Sequence, residues 1–281
     1  WARAARRTAM AELVRTPARA LIYSTTTAAL LWPRPGAIRF DAPAAANRPG
    51  RHGLWQRPLE RRRLREASLL LAQSEDALLE VPAAVRDARA PESTLVLPVP
   101  VEPSGPSDSR DIAAITYAAN PNKKGLDIVL DAWRQAGKPG EELLVAGVDE
   151  RELLSLGYGI SPPGVRVVGM LPGEDYRALL RRARVYVCAA RREDYGIAQL
   201  EALADGCMLV TTPSPGPYAA LPIARKLDER LVGDDLGAAI RTALEDPSPG
   251  YAERALSALA PFRRDAVDRQ VAEQLLPLLL A

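Results

Sequence analysis

From residue 112 onward, short apolar runs alternate with stretches whose apolar residues recur every three or four positions. Residues 112–118, 142–146, 165–168, 185–188 and 208–211 have the length and apolar content of strands buried on both faces. Residues 125–136, 150–156, 173–183, 195–205 and 235–246 have helical periodicity. Strands separated by helical stretches predict right-handed crossovers and a parallel sheet. Upstream the same alternation is weaker. Residues 21–23, 38–40, 69–73 and 94–97 read as strands, 2–15 and 55–66 as helices, and Thr25 to Thr27 as the cap of a brief helix. Between the two halves, residues 99–111 (VPVEPSGPSDSRD) are rich in Pro, Ser and Gly, the composition of a linker. The tail from Tyr251 to Leu280 reads as two helices.

The densest signal is residues 184–212, RVYVCAARREDYGIAQLEALADGCMLVTT. A strand runs into a polar turn, then a helix that Gly206 stops, then a second strand. Ligands of such sheets collect where strand ends meet helix N-termini. Glu193 lies at the mouth of the helix and Glu201 about two turns along it. Between them Gly196 and Ile197 offer backbone N–H groups at the positive end of the dipole, which suits a phosphate. Taken alone, the pair better suits an ordinary helix start, with Asp194 as N-cap, Glu193 drawn to the dipole and Glu201 a solvated charge.

EDYGIAQLEALADG resembles the E-x7-E signature of family-4 retaining glycosyltransferases, the group 1 glycosyl transferases of the GT-B fold. Glu193, Tyr195, Gly196, Ile197, Glu201, Ala202, Leu203, Ala204 and Gly206 fall in register with it. Where the family usually continues with Pro-Val, this chain has Met208-Leu209. YAANPNKKGLD (117–127) resembles the family's R-x-x-x-x-K-G-x-D segment, whose Arg and Lys bind the donor's diphosphate. Lys124, Gly125 and Asp127 match, the Arg position falls on Ala119, and Lys123 is the candidate replacement. The run 165–190 resembles the family's approach to the acidic loop, which makes Met170 and Leu171 candidates for the base pocket.

The resemblance implies an α/β protein of GT-B type, two Rossmann-like domains with parallel sheets, the N-terminal one incomplete. The expected divisions are a partial acceptor-side domain over 1–103, a nucleotide-sugar-binding domain over 104–263, and a helix over 264–281 crossing back to the first. It implies a retaining hexosyltransferase using a UDP- or GDP-hexose as donor substrate, with no separate cofactor and no metal. In that scheme Glu193 and Lys124 are catalytic, while Glu201, Gly196, Ile197, Lys123, Met170, Leu171 and Tyr195 hold the donor. Glu201 would accept from the ribose diol and Glu193 from sugar hydroxyls. The acceptor, whether a glycan, a lipid-linked glycan or a small molecule, is not encoded in any motif. Relatives often place a His after the strand that here precedes Asp41; His52 lies further on. With the acceptor side cut short, the expectation is donor binding with slow transfer. The alternative is a non-catalytic nucleotide-sugar-binding module or partner subunit.

Composition narrows the remaining classes. At 281 residues, 47% hydrophobic and 26% charged, the chain is a soluble globular protein with room for two cores. Two Cys and one His, without metal-ligand spacing, give a structural zinc site no support. The net charge of +2 conceals a basic front: residues 1–65 carry fourteen Arg against Glu12, Asp41 and Glu60, a net +11. Arg57, Arg61, Arg62, Arg63 and Arg65 share one expected helix, a candidate contact for an anionic membrane. Interleaved aromatics are missing, which argues against a nucleic-acid binder. The location expected is cytoplasmic, either free or peripheral on the inner membrane face.

Overall fold

A computed structural model describes residues 1–47, 50–106, 109–158 and 163–280, without the side chains of residues 46, 47 and 52. The chain divides into two compact units, Trp1–Pro100 with Arg264–Ala281, and Val101–Arg263. The helix expected over 264–281 thus belongs to the same unit as the N-terminal hundred residues.

The first unit holds four parallel strands, β1 (Ile22–Tyr23), β2 (Ala37–Phe40), β3 (Leu70–Ala72) and β4 (Thr94–Val96), in the order β1-β2-β3-β4. Both faces are covered, so the strands are apolar on both sides rather than alternating. Ile38, Phe40, Leu70 and Ala72 pack with Tyr23, Trp32 and Leu64 on one face. Ala37, Leu69 and Leu71 pack with Val267 and Leu275 of the C-terminal helix on the other. That helix runs from Arg264 to Leu280, with a π turn at Val271–Leu275. Pro277 explains the turn, since it has no N–H and its ring would crowd a carbonyl one turn back. The Thr25 hydroxyl accepts from the Ala28 amide, as the expected cap should.

The arginine-rich helix Gln56–Glu66 is less uniformly charged than its sequence suggests. Arg62 pairs with Glu66 at 2.6 Å, while Arg63 donates to the Leu30 carbonyl and lies 5.1 Å from the centre of the Trp32 ring. Glu60 is buried and accepts from the amides of Ala44 and Ala45 at 2.7 and 3.0 Å. Arg57, Arg61 and Arg65, each four residues apart, fall on one stripe, of which Arg61 and Arg65 are exposed.

The second unit holds β5 (Ile112–Tyr117), β6 (Leu143–Ala146), β7 (Val165–Gly169), β8 (Ala183–Cys188) and β9 (Met208–Thr211). All are parallel, in the order β7-β6-β5-β8-β9. The helices Leu126–Ala136, Glu150–Ser155, Gly173–Arg182, Ile197–Ala204 and Leu236–Glu245 lie where the periodicity places them, to within two residues at each end. Ile115, Leu144, Val185, Val187, Leu209 and Val210 form a sheet interior with no exposure. Trp133, Leu126, Leu180, Leu200 and Ile240 cover it from the helices.

Two local features depart from expectation. Pro121–Lys124 is a separate helical turn ended by Gly125, so the helix after β5 begins at Leu126. Ala220–Leu227 is a further helix, within a proline-rich stretch, burying Ala220, Ala224 and Leu227. Its Pro222 sits in the first turn, where the missing N–H has no intrahelical partner to lose. Among the described residues no helix is long and apolar enough to cross a membrane.

The Glu60 carboxylate is the first unit's main buried charge, and its two oxygens each hold one loop amide. Replacing Glu60 with Ala should lower stability by about 2–3 kcal/mol, the usual value of hydrogen bonds to a charged group. Denaturant titration of the full chain gives the comparison, and an unchanged midpoint would return Glu60 to the surface.

Candidate functional site

In the second unit the chain travels outward from β5 to β6 and β7, then returns to lay β8 and β9 on the other side of β5. The segments leaving Tyr117 and Cys188 therefore diverge, and the crevice between them is the topological switch point of the sheet. Both motif-bearing loops, 118–125 and 189–196, emerge there.

The loop after β5 is built to present two lysines. The Asn120 side chain accepts from the Lys123 amide at 3.1 Å, and Pro121 opens the single turn. Gly125 closes it at φ +62°, and a β-carbon there would sit 2.0 Å from the Ala189 carbonyl oxygen. The two loops are thus pressed together by a glycine. Arg191 reinforces the junction: its amide donates to the Lys123 carbonyl at 2.9 Å, and its guanidinium takes both oxygens of Asp127 at 2.6 and 3.0 Å. Lys124 Nζ then reaches Glu193 Oε2 at 2.7 Å, and Lys123 Nζ reaches Asp194 Oδ2 at 2.6 Å.

The loop after β8 ends at Gly196, which caps the helix Ile197–Ala204 at φ +88°. Its missing side chain makes room for the Tyr218 ring, 2.7 Å from where a β-carbon would be. Among the described residues no side chain caps this helix, so its first-turn amides from Ile197, which have no intrahelical acceptor, are left for a ligand or solvent. Asp194 is not the N-cap; its carboxylate is taken by Lys123 and by Arg192 at 3.1 Å. Glu193 is only 4% exposed. A buried carboxylate needs partners, and it has two, Lys124 and the Gln199 amide at 2.8 Å. Both fall on Oε2; among the described residues no hydrogen bond falls on Oε1.

Beside the loop lies a cavity of about 190 Å³, walled by Tyr117, Ala146, Gly147, Leu171, Gly173, Tyr176, Ile197, Ala198 and Glu201. Its wall is largely apolar, with one carboxylate, a form suited to a flat ring with a polar appendage. Gly147, at φ +86°, leaves room for the Tyr117 ring, whose edge lies 2.7 Å from where a β-carbon would be. Tyr117 and Tyr176 stand 5.3 Å apart at 55°. Partial burial raises the pKa of Glu201 above its ordinary value; Arg177 opposes that shift and Asp205 adds to it.

The structure brings Lys124, Glu193, Gly196 and Ile197 to one crevice, and Leu171, Ile197 and Glu201 to one cavity. Met170 is 67% exposed and is not among the residues walling the cavity. Tyr195 is buried, its carbonyl accepting from the Ala219 amide. Lys123 is present but paired with Asp194. In the first unit, the Asp41 carboxylate accepts from the neighbouring Ala42 amide, and the His52 side chain lies outside the described residues. Three neighbours carried no motif: Gln199, Tyr117 and Arg177. Gln199 left a trace in the sequence, a polar residue between Ala198 and Leu200 on a helix otherwise apolar on that side.

Residues 110–246 match the family model described as glycosyl transferases group 1. No curated protein matches the chain. Among solved structures, HepE of Anabaena in complex with UDP is 18% identical, with 95% of this chain and 81% of that one covered at a TM-score of 0.71. WaaG, a glycosyltransferase involved in lipopolysaccharide biosynthesis, is 17% identical, with 92% and 80% covered at 0.69. Sucrose-phosphate synthase from Thermosynechococcus elongatus is 16% identical, with 96% and 76% covered at 0.64. At such identities the likeness defines the fold: the chain has the GT-B architecture, α/β with two parallel sheets.

Gly125 is the residue on which the approach of the two loops depends. Gly125→Ala should destabilise the chain by about 1–3 kcal/mol, because a left-handed backbone and a carbonyl both oppose the new methyl. Thermal unfolding at fixed protein concentration reads the effect, and an unchanged midpoint would mean the loops separate at no expense.

Proposed function

We propose that the chain is a retaining glycosyltransferase of family 4 that takes a nucleoside diphosphate sugar as donor. The observation that carries this reading is the Lys124–Glu193 pair beside the uncapped helix start at Gly196, in the switch-point crevice and next to a cavity bearing Glu201. In this reading each part of such a donor has a place. The base lies in the apolar cavity, with the ribose diol donating to Glu201. The diphosphate meets Lys124 and the amides from Ile197 onward, where the positive charge and the helix dipole both favour an anion. The sugar hydroxyls donate to Glu193, whose Oε1 accepts no hydrogen bond among the described residues. The match to group 1 glycosyl transferases over 110–246 and the UDP complex of HepE support this placement.

Transfer then proceeds on one face of the sugar. The bond from the anomeric carbon to the β-phosphate oxygen breaks and a bond to the acceptor oxygen forms. The acceptor's proton passes to the leaving phosphate. Lys124 and the helix amides stabilise charge as it develops on that phosphate, and being held in advance they need little reorganisation. Glu193 orients the sugar through its hydroxyls and forms no covalent bond with it.

Two substitutions separate binding from chemistry. Glu201→Gln keeps shape and removes charge, so the affinity for whichever of UDP and GDP binds wild type should fall about ten- to a hundredfold. Isothermal calorimetry supplies the comparison, and equal affinities would refute the ribose contact. Glu193→Gln should leave nucleotide affinity within about threefold but slow turnover of the donor sugar, to acceptor or to water, by about a hundredfold. Unchanged turnover in that variant would remove Glu193 from the reaction, and its absence from both proteins would favour a binding module.

A further inference from the structure

Glu201 is held by an arginine that no motif marks, itself anchored by a second carboxylate. Arg177, on the helix Gly173–Arg182, donates from one terminal nitrogen to Glu201 Oε1 at 3.4 Å. Its Nε donates to Asp205 Oδ2 at 2.6 Å, and its other terminal nitrogen to the Glu102 carbonyl at 2.7 Å. The Asp205 side chain has no exposure and is fixed from the far side by Ser104, whose amide and hydroxyl donate at 2.7 and 3.0 Å. The guanidinium is therefore aimed by groups that are themselves immobile. Its two tight contacts face away from the cavity, and its long one faces the carboxylate that lines it.

We propose that Arg177 is a positioning residue for Glu201: clamped by Asp205 and the Glu102 carbonyl, it keeps the Glu201 carboxylate charged and turned toward the cavity. The proposal rests on the reading of Glu201 as the acceptor for a ribose diol. At 3.4 Å the contact is long for a charge-assisted bond, so Oε1 is steered rather than consumed and both oxygens remain able to accept from a ligand. A shorter pair would compete with the diol for the same lone pairs. Asp205 explains why the pair stays long, since the stronger partner pulls the guanidinium back. The titratable and charged groups around Glu201 are Arg177 and Tyr176 from the facing helix, Asp205 after its own helix, and Tyr117 at the end of β5. Arg177 is the only cation among these four.

The sign of the resulting pH dependence follows. Burial disfavours the charged form of Glu201 and so raises its pKa, and Arg177 counteracts this. Diol binding needs the charged form, so nucleotide affinity is full above that pKa and falls as pH drops through it. Removing Arg177 raises the pKa further and moves the loss of affinity to higher pH.

The experiment is calorimetric titration of UDP and of GDP from about pH 8 to about pH 4 with wild type, Arg177→Gln, the double variant Arg177→Gln with Asp205→Asn, and Glu201→Gln. The double variant guards against misfolding, because it leaves no buried Asp205 charge without its partner. The midpoint of the acid loss should rise by about one pH unit in Arg177→Gln and by less in the double variant, which also loses the repulsion of Asp205. Glu201→Gln should bind weakly with no such midpoint. An Arg177→Gln profile that superimposes on wild type, or that drops equally at every pH, would overturn the positioning role while leaving Glu201 in place. Glu201→Gln matching wild type at every pH would instead refute the ribose reading, and failure of wild type to bind either nucleotide would refute both.

Discussion

The ion pair between Lys124 and Glu193 is the contact on which the second unit's functional geometry depends. Each residue stands at the end of a loop leaving one of two adjacent strands, β5 and β8, and the sheet order makes those loops diverge. Bringing an ammonium and a largely buried carboxylate to 2.7 Å across that divergence requires the backbones to touch. Gly125 against the Ala189 carbonyl supplies the touch, and Arg191 bridges the loops a second time through Asp127. The pair is therefore a product of topology and of one glycine, with the charges added where the chain is already close.

Charge burial gives this site its second constraint. Glu193, Asp194 and Asp205 are all buried, and an unpaired carboxylate in such surroundings would be strongly unfavourable. Each has a cation: Lys124, Lys123 and Arg177 respectively. The arrangement is close to neutral within a few ångströms, yet it leaves positive potential at the helix start, where the dipole adds to the lysines. In the proposed reading, a ligand carrying two phosphates would meet a surface whose cations are positioned before it arrives. The neighbouring cavity is different in kind, apolar with a single carboxylate at its edge, so an amphipathic ligand can be read at both ends.

The parallel sheet of the second unit was legible because its strands are continuous apolar runs and its helices carry clear amphipathic spacing. The helix over 220–227 was hidden because its prolines lie before it and in its first turn, where they do no harm but look like breakers. The division near residue 100 follows the Pro-rich stretch, whereas the membership of 264–280 depends on Val267 and Leu275 meeting Leu69 and Leu71, which no local pattern records. In the candidate site, Glu193, Lys124, Gly196 and Glu201 were marked as candidates by the motif resemblance. Gln199 and Arg177 were not, because their meaning lies in contacts across 6 and 24 positions of sequence. Asp194 was open to reading as a helix cap, and the positive φ of Gly196 shows why it is not: the cap falls two residues later.

The central claim is that the crevice between the β5 and β8 loops receives a diphosphate through Lys124. Phosphorus NMR of UDP and of GDP with added protein addresses it directly, because the two phosphorus resonances report their own surroundings. Wild type should shift or broaden both resonances of the nucleotide that binds. Lys124→Met, similar in length but uncharged, should weaken that response about tenfold or more. An undiminished response from Lys124→Met would contradict the account, because the diphosphate would then be held somewhere other than the crevice that Lys124 and Glu193 define.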